Sequence, residues 1–155
     1  MELILWRHAE AFQGTPDLTR ALNGKGRKQA SKIADWLDAN LPDSCRILVS
    51  PATRCVQTAE ALGRKFRIHP ELATDSTPEK ILQAANWPNS REPVLIVGHQ
   101  PTLGQVAALL ISGSAQDWRI RRGNVWWISQ RERDGEVSNY LRAAMTPELL
   151  PTVRK

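Results

Sequence analysis

Cysteine is scarce in this chain: Cys45 and Cys55 are the only two, too few for a disulfide framework. Cys45 begins an apolar run and Cys55 falls in the first turn of an expected helix, so both read as small buried hydrophobes. Long apolar runs are missing too. No stretch approaches the roughly 20 residues that cross a bilayer, and the first residues lack the basic start, apolar centre and cleavage site of a secretory signal. A cytoplasmic location is therefore expected. No block of five or six like charges occurs. The densest cluster, "RIRRG" at 119–123, reads as a solvated turn. Repeats, low-complexity segments and linkers are absent, and 155 residues suit one domain over 1–155. The net charge of +5 fits either nucleic acid or an anionic substrate and does not choose between them.

What is present is an alternation of strands and helices. Residues 2–6 form a short unbroken apolar run, the pattern of a strand buried on both faces. A polar loop over 9–22 follows, long enough to be functional. Ala30, Ile33, Ala34, Leu37 and Leu41 then repeat at helical spacing within 26–41. "CRILVS" (45–50) predicts the second strand and 50–66 the second helix, with Ser50 as N-cap and Pro51 at the first helical position. A short strand near 67–69, a helix near 78–86, a strand at 93–99 and a helix at 100–111 come next. Two strands joined at Asp134-Gly135 close the chain as a hairpin. The expected fold class is α/β: a mostly parallel central sheet with helices on both faces and an antiparallel C-terminal hairpin.

In such sheets ligands bind beyond the carboxyl ends of the strands. Three strand ends carry unusual residues: Arg7-His8, then Ser50 to Arg54, then Gly98-His99. A parallel sheet brings all three to one edge, gathering two arginines and two of the three histidines. Arg54 lies in the first turn of its helix, where a cation is unfavourable unless an anion is bound. Arginine's planar fork suits phosphate. A phosphoryl group is the simplest anion to satisfy these cations. His69 lies at no such convergence and reads as structural.

Other phosphate chemistries fit poorly. "NGKGRKQ" does not supply a Walker loop. Neither cysteine has the arginine six residues on that a cysteine phosphatase uses. Three histidines, two of them beside arginines, are a poor supply of metal ligands, so no metal or cofactor is expected. A histidine nucleophile remains.

"RHAEA", "SPATRCVQTAEAL" and "VGHQP" resemble the R-H-G, S-P-x-x-R and G-H motifs of the histidine phosphatase superfamily. "DLTRALNGKGRKQA" resembles its segment ending L-x-x-x-G-x-x-Q-A, and order and spacing match over 2–110. The short length, the D-x-x-R-x-L element at Asp17, Arg20 and Leu22, and the Trp-rich hairpin look most like bacterial SixA-type phosphohistidine phosphatases. Ala9 departs from the usual glycine. The resemblance implies a phosphoglycerate-mutase-like fold, His8 as nucleophile through a phosphohistidine intermediate, and Arg7, Arg54 and His99 around the phosphoryl oxygens. Arg20 is implied as a substrate-binding residue. Flanking arginines should lower the pKa of His8 and keep it neutral.

Sugar-phosphate members of the superfamily set a general acid over the leaving group. Glu71, Asp75 and Glu79 are the available acids, none in a convincing match. An imidazole leaving group needs little help, whereas an alkoxide needs a proton. The expectation is therefore a phosphatase acting on phosphohistidine of a partner protein. The alternatives are a small-molecule phosphomonoesterase of the same fold and a non-catalytic phosphate-binding adaptor. A nucleic-acid binder is disfavoured, because aromatics are not interleaved with the basic cluster.

Overall fold

The computed structural model describes residues 1–152. Its apolar runs lie inside one sheet of six strands. These are β1 (Glu2–Arg7), β2 (Arg46–Val49), β3 (Arg67–Ile68), β4 (Val94–Gly98), β5 (Val125–Arg133) and β6 (Glu136–Met145). The order is β3-β2-β4-β1-β5-β6. The first four run parallel, and β5 and β6 pair antiparallel at one side. Among the described residues four α-helices accompany them: α1 (Gly24–Asn40), α2 (Thr53–Glu60), α3 (Pro78–Ala84) and α4 (Thr102–Ser112).

Alternate side chains of β1 point to opposite layers. Ile4 and Trp6 join Ile33, Leu37 and Cys55 under α1 and α2. Leu3 and Leu5 join Ile81, Leu103 and Val106 under α3 and α4. A strand covered on both faces has no polar side to show, which is why its sequence reads as an unbroken apolar run. The expected α/β architecture is thus present, with helices on both faces. At the hairpin, Asp134 and Gly135 both have positive φ (52° and 80°), the geometry that Asp-Gly favours in a two-residue turn.

Two local expectations need correction. The second helix is shorter than 50–66, and Ser50 is not its N-cap. That position belongs to Ala52, Pro51 lies before the helix, and the Ser50 hydroxyl meets His99 and accepts the Ala52 N–H. Downstream the helix stops at Glu60, and Gly63 turns the chain with a φ of +71°. Cys55 is fully buried, while Cys45 is only half-buried against the same core. Among the described residues, no helix is long and apolar enough to cross a membrane.

The segment 119–123 is also more than a solvated turn. Gly123 donates its N–H to the carbonyls of Arg7 (3.2 Å) and His8 (3.0 Å), and the Trp6 indole donates to the Gly123 carbonyl. Arg7 in turn donates its backbone N–H to the Asn124 carbonyl. From the other side, Gly104 lies so close that a Cβ there would sit 1.7 Å from the Trp118 carbonyl oxygen. Gln100 bridges the contact, donating to the Trp118 carbonyl and accepting from Gly104 N–H. The loop is stapled to the end of β1.

Candidate active site

The parallel register carries the ends of β1, β2 and β4 to one edge. His8 N–H donates to the Gly98 carbonyl, and Ser50 N–H donates to the Val97 carbonyl. The side chains of His8, Arg54 and His99 converge there, 6%, 3% and 4% exposed respectively. Burial to this degree removes most water that would otherwise solvate a cation.

The partners fix the tautomers. His8 Nδ1 lies 2.8 Å from the Ala9 carbonyl oxygen, which can only accept, so Nδ1 carries the proton. Nε2 is left unprotonated, and its lone pair accepts from Arg54 Nε at 3.4 Å. Burial, helped by His99, Arg54 and Arg7, pushes the His8 imidazole down to about 3, against the opposing bond to Ala9. His99 is pushed down to about 4 by burial and then by Arg54. Its Nδ1 accepts from Arg54 Nη2 (3.4 Å), and its Nε2 lies 2.7 Å from the Ser50 hydroxyl. The two rings stand 5.4 Å apart and tilted. Both imidazoles are neutral, and His8 presents an unprotonated nitrogen beside a guanidinium.

Arg54 is held by a carboxylate that sequence reasoning did not single out as functional. Its Nη1 donates to the Asp17 carbonyl (2.9 Å) and its Nη2 to Asp17 Oδ2 (3.1 Å). Arg20 meets the same carboxylate through Nε–Oδ1 at 3.0 Å and also donates to the Phe12 carbonyl. Asp17 thus bridges Arg20 and Arg54, while its own side chain remains 60% exposed. Burial is the largest single effect on Asp17 and raises its carboxyl, but the hydrogen bonds and charges of Arg20 and Arg54 together outweigh it and hold the carboxyl below the usual range. The D-x-x-R spacing was the sequence signal for this pair.

Arg7 stands apart from this cluster. Its Nη1 donates to the Ile120 carbonyl (3.0 Å), while its Nε is buried with no partner among the described residues. Burial, then Arg122, Arg119 and Arg54, pulls its guanidinium down to about 10. A donor left unsatisfied in a buried position is costly unless a ligand meets it.

Thr58 joins the pieces. It accepts from Ala9 N–H and donates to the Arg54 carbonyl. The substitution of Ala9 for glycine is accommodated with the methyl fully buried beside Leu22 and Ala30.

Such a set, an unprotonated imidazole nitrogen beside the Arg54 guanidinium, can accept a phosphoryl group. The sequence model described as the histidine phosphatase superfamily (branch 1) matches residues 3–76. The chain belongs to the histidine phosphatase superfamily. Its relatives include an uncharacterised Mycobacterium tuberculosis protein, 32% identical over 72% of this chain and 73% of that protein. Phosphohistidine phosphatase SixA of Escherichia coli is 28% identical over 73% of this chain and 76% of its own. Among solved structures, the protein histidine phosphatase SixA complexed with tungstate shares the fold. Its TM-score is 0.74 over 95% of this chain and 97% of that one, at 23% identity. Membership in this superfamily supports phosphatase activity for the chain.

Within that histidine phosphatase frame, the three acid candidates do not join the site. Glu71 is exposed and pairs with Lys80 at 3.7 Å, and Asp75 and Glu79 are exposed as well. None of them bonds to His8, Arg54 or His99 among the described residues. His69 accepts the Glu71 N–H and caps the short turn 70–72, and its side chain has no bond to His8, Arg54 or His99 among the described residues.

Proposed function

We propose that this phosphatase takes a phosphoryl group onto His8 Nε2 and removes it from phosphohistidine on a partner protein in the cytoplasm. The observation that carries the reading is the Nδ1–H bond to the Ala9 carbonyl, which leaves Nε2 as the atom facing Arg54.

In the first step the Nε2 lone pair forms a bond to phosphorus as the substrate P–N bond breaks. The leaving imidazole keeps the proton on its other nitrogen and departs neutral, so no acid is required. Phospho-His8 then carries positive charge on its ring, shared with the Ala9 carbonyl through Nδ1–H. Arg7, Arg54 and His99 meet the phosphoryl oxygens, and Arg20 approaches from the loop. Electrostatic stabilisation of this kind is the main contribution to phosphoryl transfer. For His99 to donate to an oxygen, its proton moves to Nδ1 while the Ser50 hydroxyl turns to donate to Nε2. Water next attacks phosphorus, the P–Nε2 pair returns to nitrogen, and dihydrogen phosphate leaves with both hydrogens of the water. In this reading the guanidiniums supply the positive charge and no metal is used.

Turnover of a phosphohistidine peptide, an aryl phosphate and an alkyl phosphate, with chelator present, tests the reading. The peptide should be the best substrate and the alkyl phosphate the poorest. Neutral replacement of Glu71, Asp75 or Glu79 should change peptide turnover by only a few-fold, and His8→Gln should trap no phosphoryl group. General acid catalysis is worth about 10²–10⁴. A hundredfold loss on alkyl phosphates from one of these replacements would instead favour the small-molecule phosphomonoesterase.

A further inference from the structure

Beside Arg7 the surface opens into a cavity of about 510 Å³, lined among others by Lys25, Arg119, Arg121, Arg122 and Glu148. Lys25 is already paired with Glu10 at 3.6 Å. Arg119, Arg121 and Arg122 form no ion pair among the described residues, and all three are exposed. The cavity's carboxylates are Glu10, which Lys25 pairs, and Glu148, against the guanidiniums of Arg7, Arg119, Arg121 and Arg122.

Solvated arginines on a loose loop would mean little. These stand on a loop stapled at both ends, by Gly123 to the carbonyls of Arg7 and His8 and by Gln100 to the Trp118 carbonyl. Their field also reaches the reacting edge, since Arg122 and Arg119 are the main neighbouring charges that lower Arg7. The positive wall therefore has a fixed position relative to His8. Cations gathered in a cleft attract negative charge over a distance and orient it.

We propose that this arginine wall is a docking surface for the acidic side chains that flank the phosphorylated histidine of the partner protein. The proposal rests on the reading of a phosphohistidine protein substrate and adds to it a partner chemistry: carboxylates beside the scissile phosphoryl group. Such contacts raise the encounter rate and the affinity while leaving the chemistry at His8 unchanged.

A labelled, unphosphorylated peptide with aspartates and glutamates around a central histidine is the probe, with an asparagine/glutamine version as control. Binding is read by fluorescence anisotropy for the full chain and for the combined variant Arg119→Gln, Arg121→Gln, Arg122→Gln. Three exposed charge pairs should be worth about tenfold in affinity. The acidic peptide should bind the unmodified protein about tenfold more tightly than the variant, and the difference should shrink with added salt. The kcat for phosphoramidate, read at saturation where attraction of the small anion no longer counts, should be the same in both and shows that the variant is folded. Equal affinity for the acidic and neutral peptides, or equal affinity in protein and variant, overturns the proposal. So does a parallel loss of the phosphoramidate kcat, which would put these arginines in the reacting centre. Tight, arginine-dependent binding without turnover of the phosphohistidine form would uphold the docking surface and overturn the substrate reading.

Discussion

Arg54 is the residue on which the site turns. Its Nε faces the unprotonated Nε2 of His8, the proposed nucleophile, its Nη2 reaches both His99 and Asp17, and its Nη1 donates to the Asp17 carbonyl. The guanidinium therefore works as a planar fork with each edge assigned. Lysine offers a point charge without that fork. Arg54→Ala should lower kcat/KM by about ten- to a hundredfold, since a charge-assisted contact is worth about 1.5–3 kcal/mol. Arg54→Lys should recover only part of it. Full recovery in steady-state kinetics with phosphoramidate would show that the paired geometry is dispensable. Asp17 explains how the cation is kept in the free protein: the anion on Arg54 is a carboxylate from the loop, already shared with Arg20. A phosphoryl group arriving at Arg54 meets that carboxylate as a competitor for the same donors.

At the scale of elements, the decisive contact is between α4 and the loop that leads into β5. Gly104 allows the backbone of the loop to lie against the helix, and no side chain fits between them. Gly104→Ala would press a methyl into the Trp118 carbonyl, which is backbone and cannot rotate away. Overpacking of this kind costs about 1–3 kcal/mol. The expected result is a lower unfolding midpoint in a thermal or urea melt. Turnover should fall with it, because Ile120 on the same loop holds Arg7. An unchanged midpoint would mean that α4 and the loop separate at no cost. The parallel strands do the complementary work, because their shared direction brings three separate carboxyl ends to one edge.

For the whole molecule, burying two neutral imidazoles ties stability to pH. The unfolded chain takes up protons near pH 6.5, whereas folded His99 does so only near 4 and His8 only near 3. Between these values the unfolded state binds more protons. Stability is therefore full above about pH 6.5 and is lost as pH falls toward 4 and then 3. Two imidazoles set a ceiling of about 2.7 kcal/mol per pH unit on this slope. Asp17, held low by its arginines, adds a loss in the same direction at the acid end. Urea midpoints at pH 6.5 and 4.5 should fall steeply in the unmodified protein and less in a His8→Gln/His99→Gln variant. Equal slopes would show that these rings are not the source.

The apolar runs at 2–6 and 93–99, the helical spacing from Ala30 to Leu37 and the Asp134-Gly135 turn were legible in the sequence. Each follows from short-range sterics or from burial of a continuous apolar stretch. The same reasoning set Arg7, His8, Arg54 and His99 at strand ends, hence on one edge of a parallel sheet. What only the tertiary structure decided is how polar groups distant in sequence share their hydrogen bonds. Ser50 has the form of a helix cap, yet its hydroxyl goes to His99, which the register of β2 and β4 sets 2.7 Å away. Asp17 reads as part of a loop motif until its carboxylate is seen between Arg20 and Arg54. The run at 119–123 reads as solvated charge until Gly104, Gln100 and Gly123 fix it beside Arg7. Backbone preference is encoded within a few residues, and a strand or helix can be read from it. The partner of a buried donor is set by distances of a few ångströms between segments, which exist only once the sheet has formed.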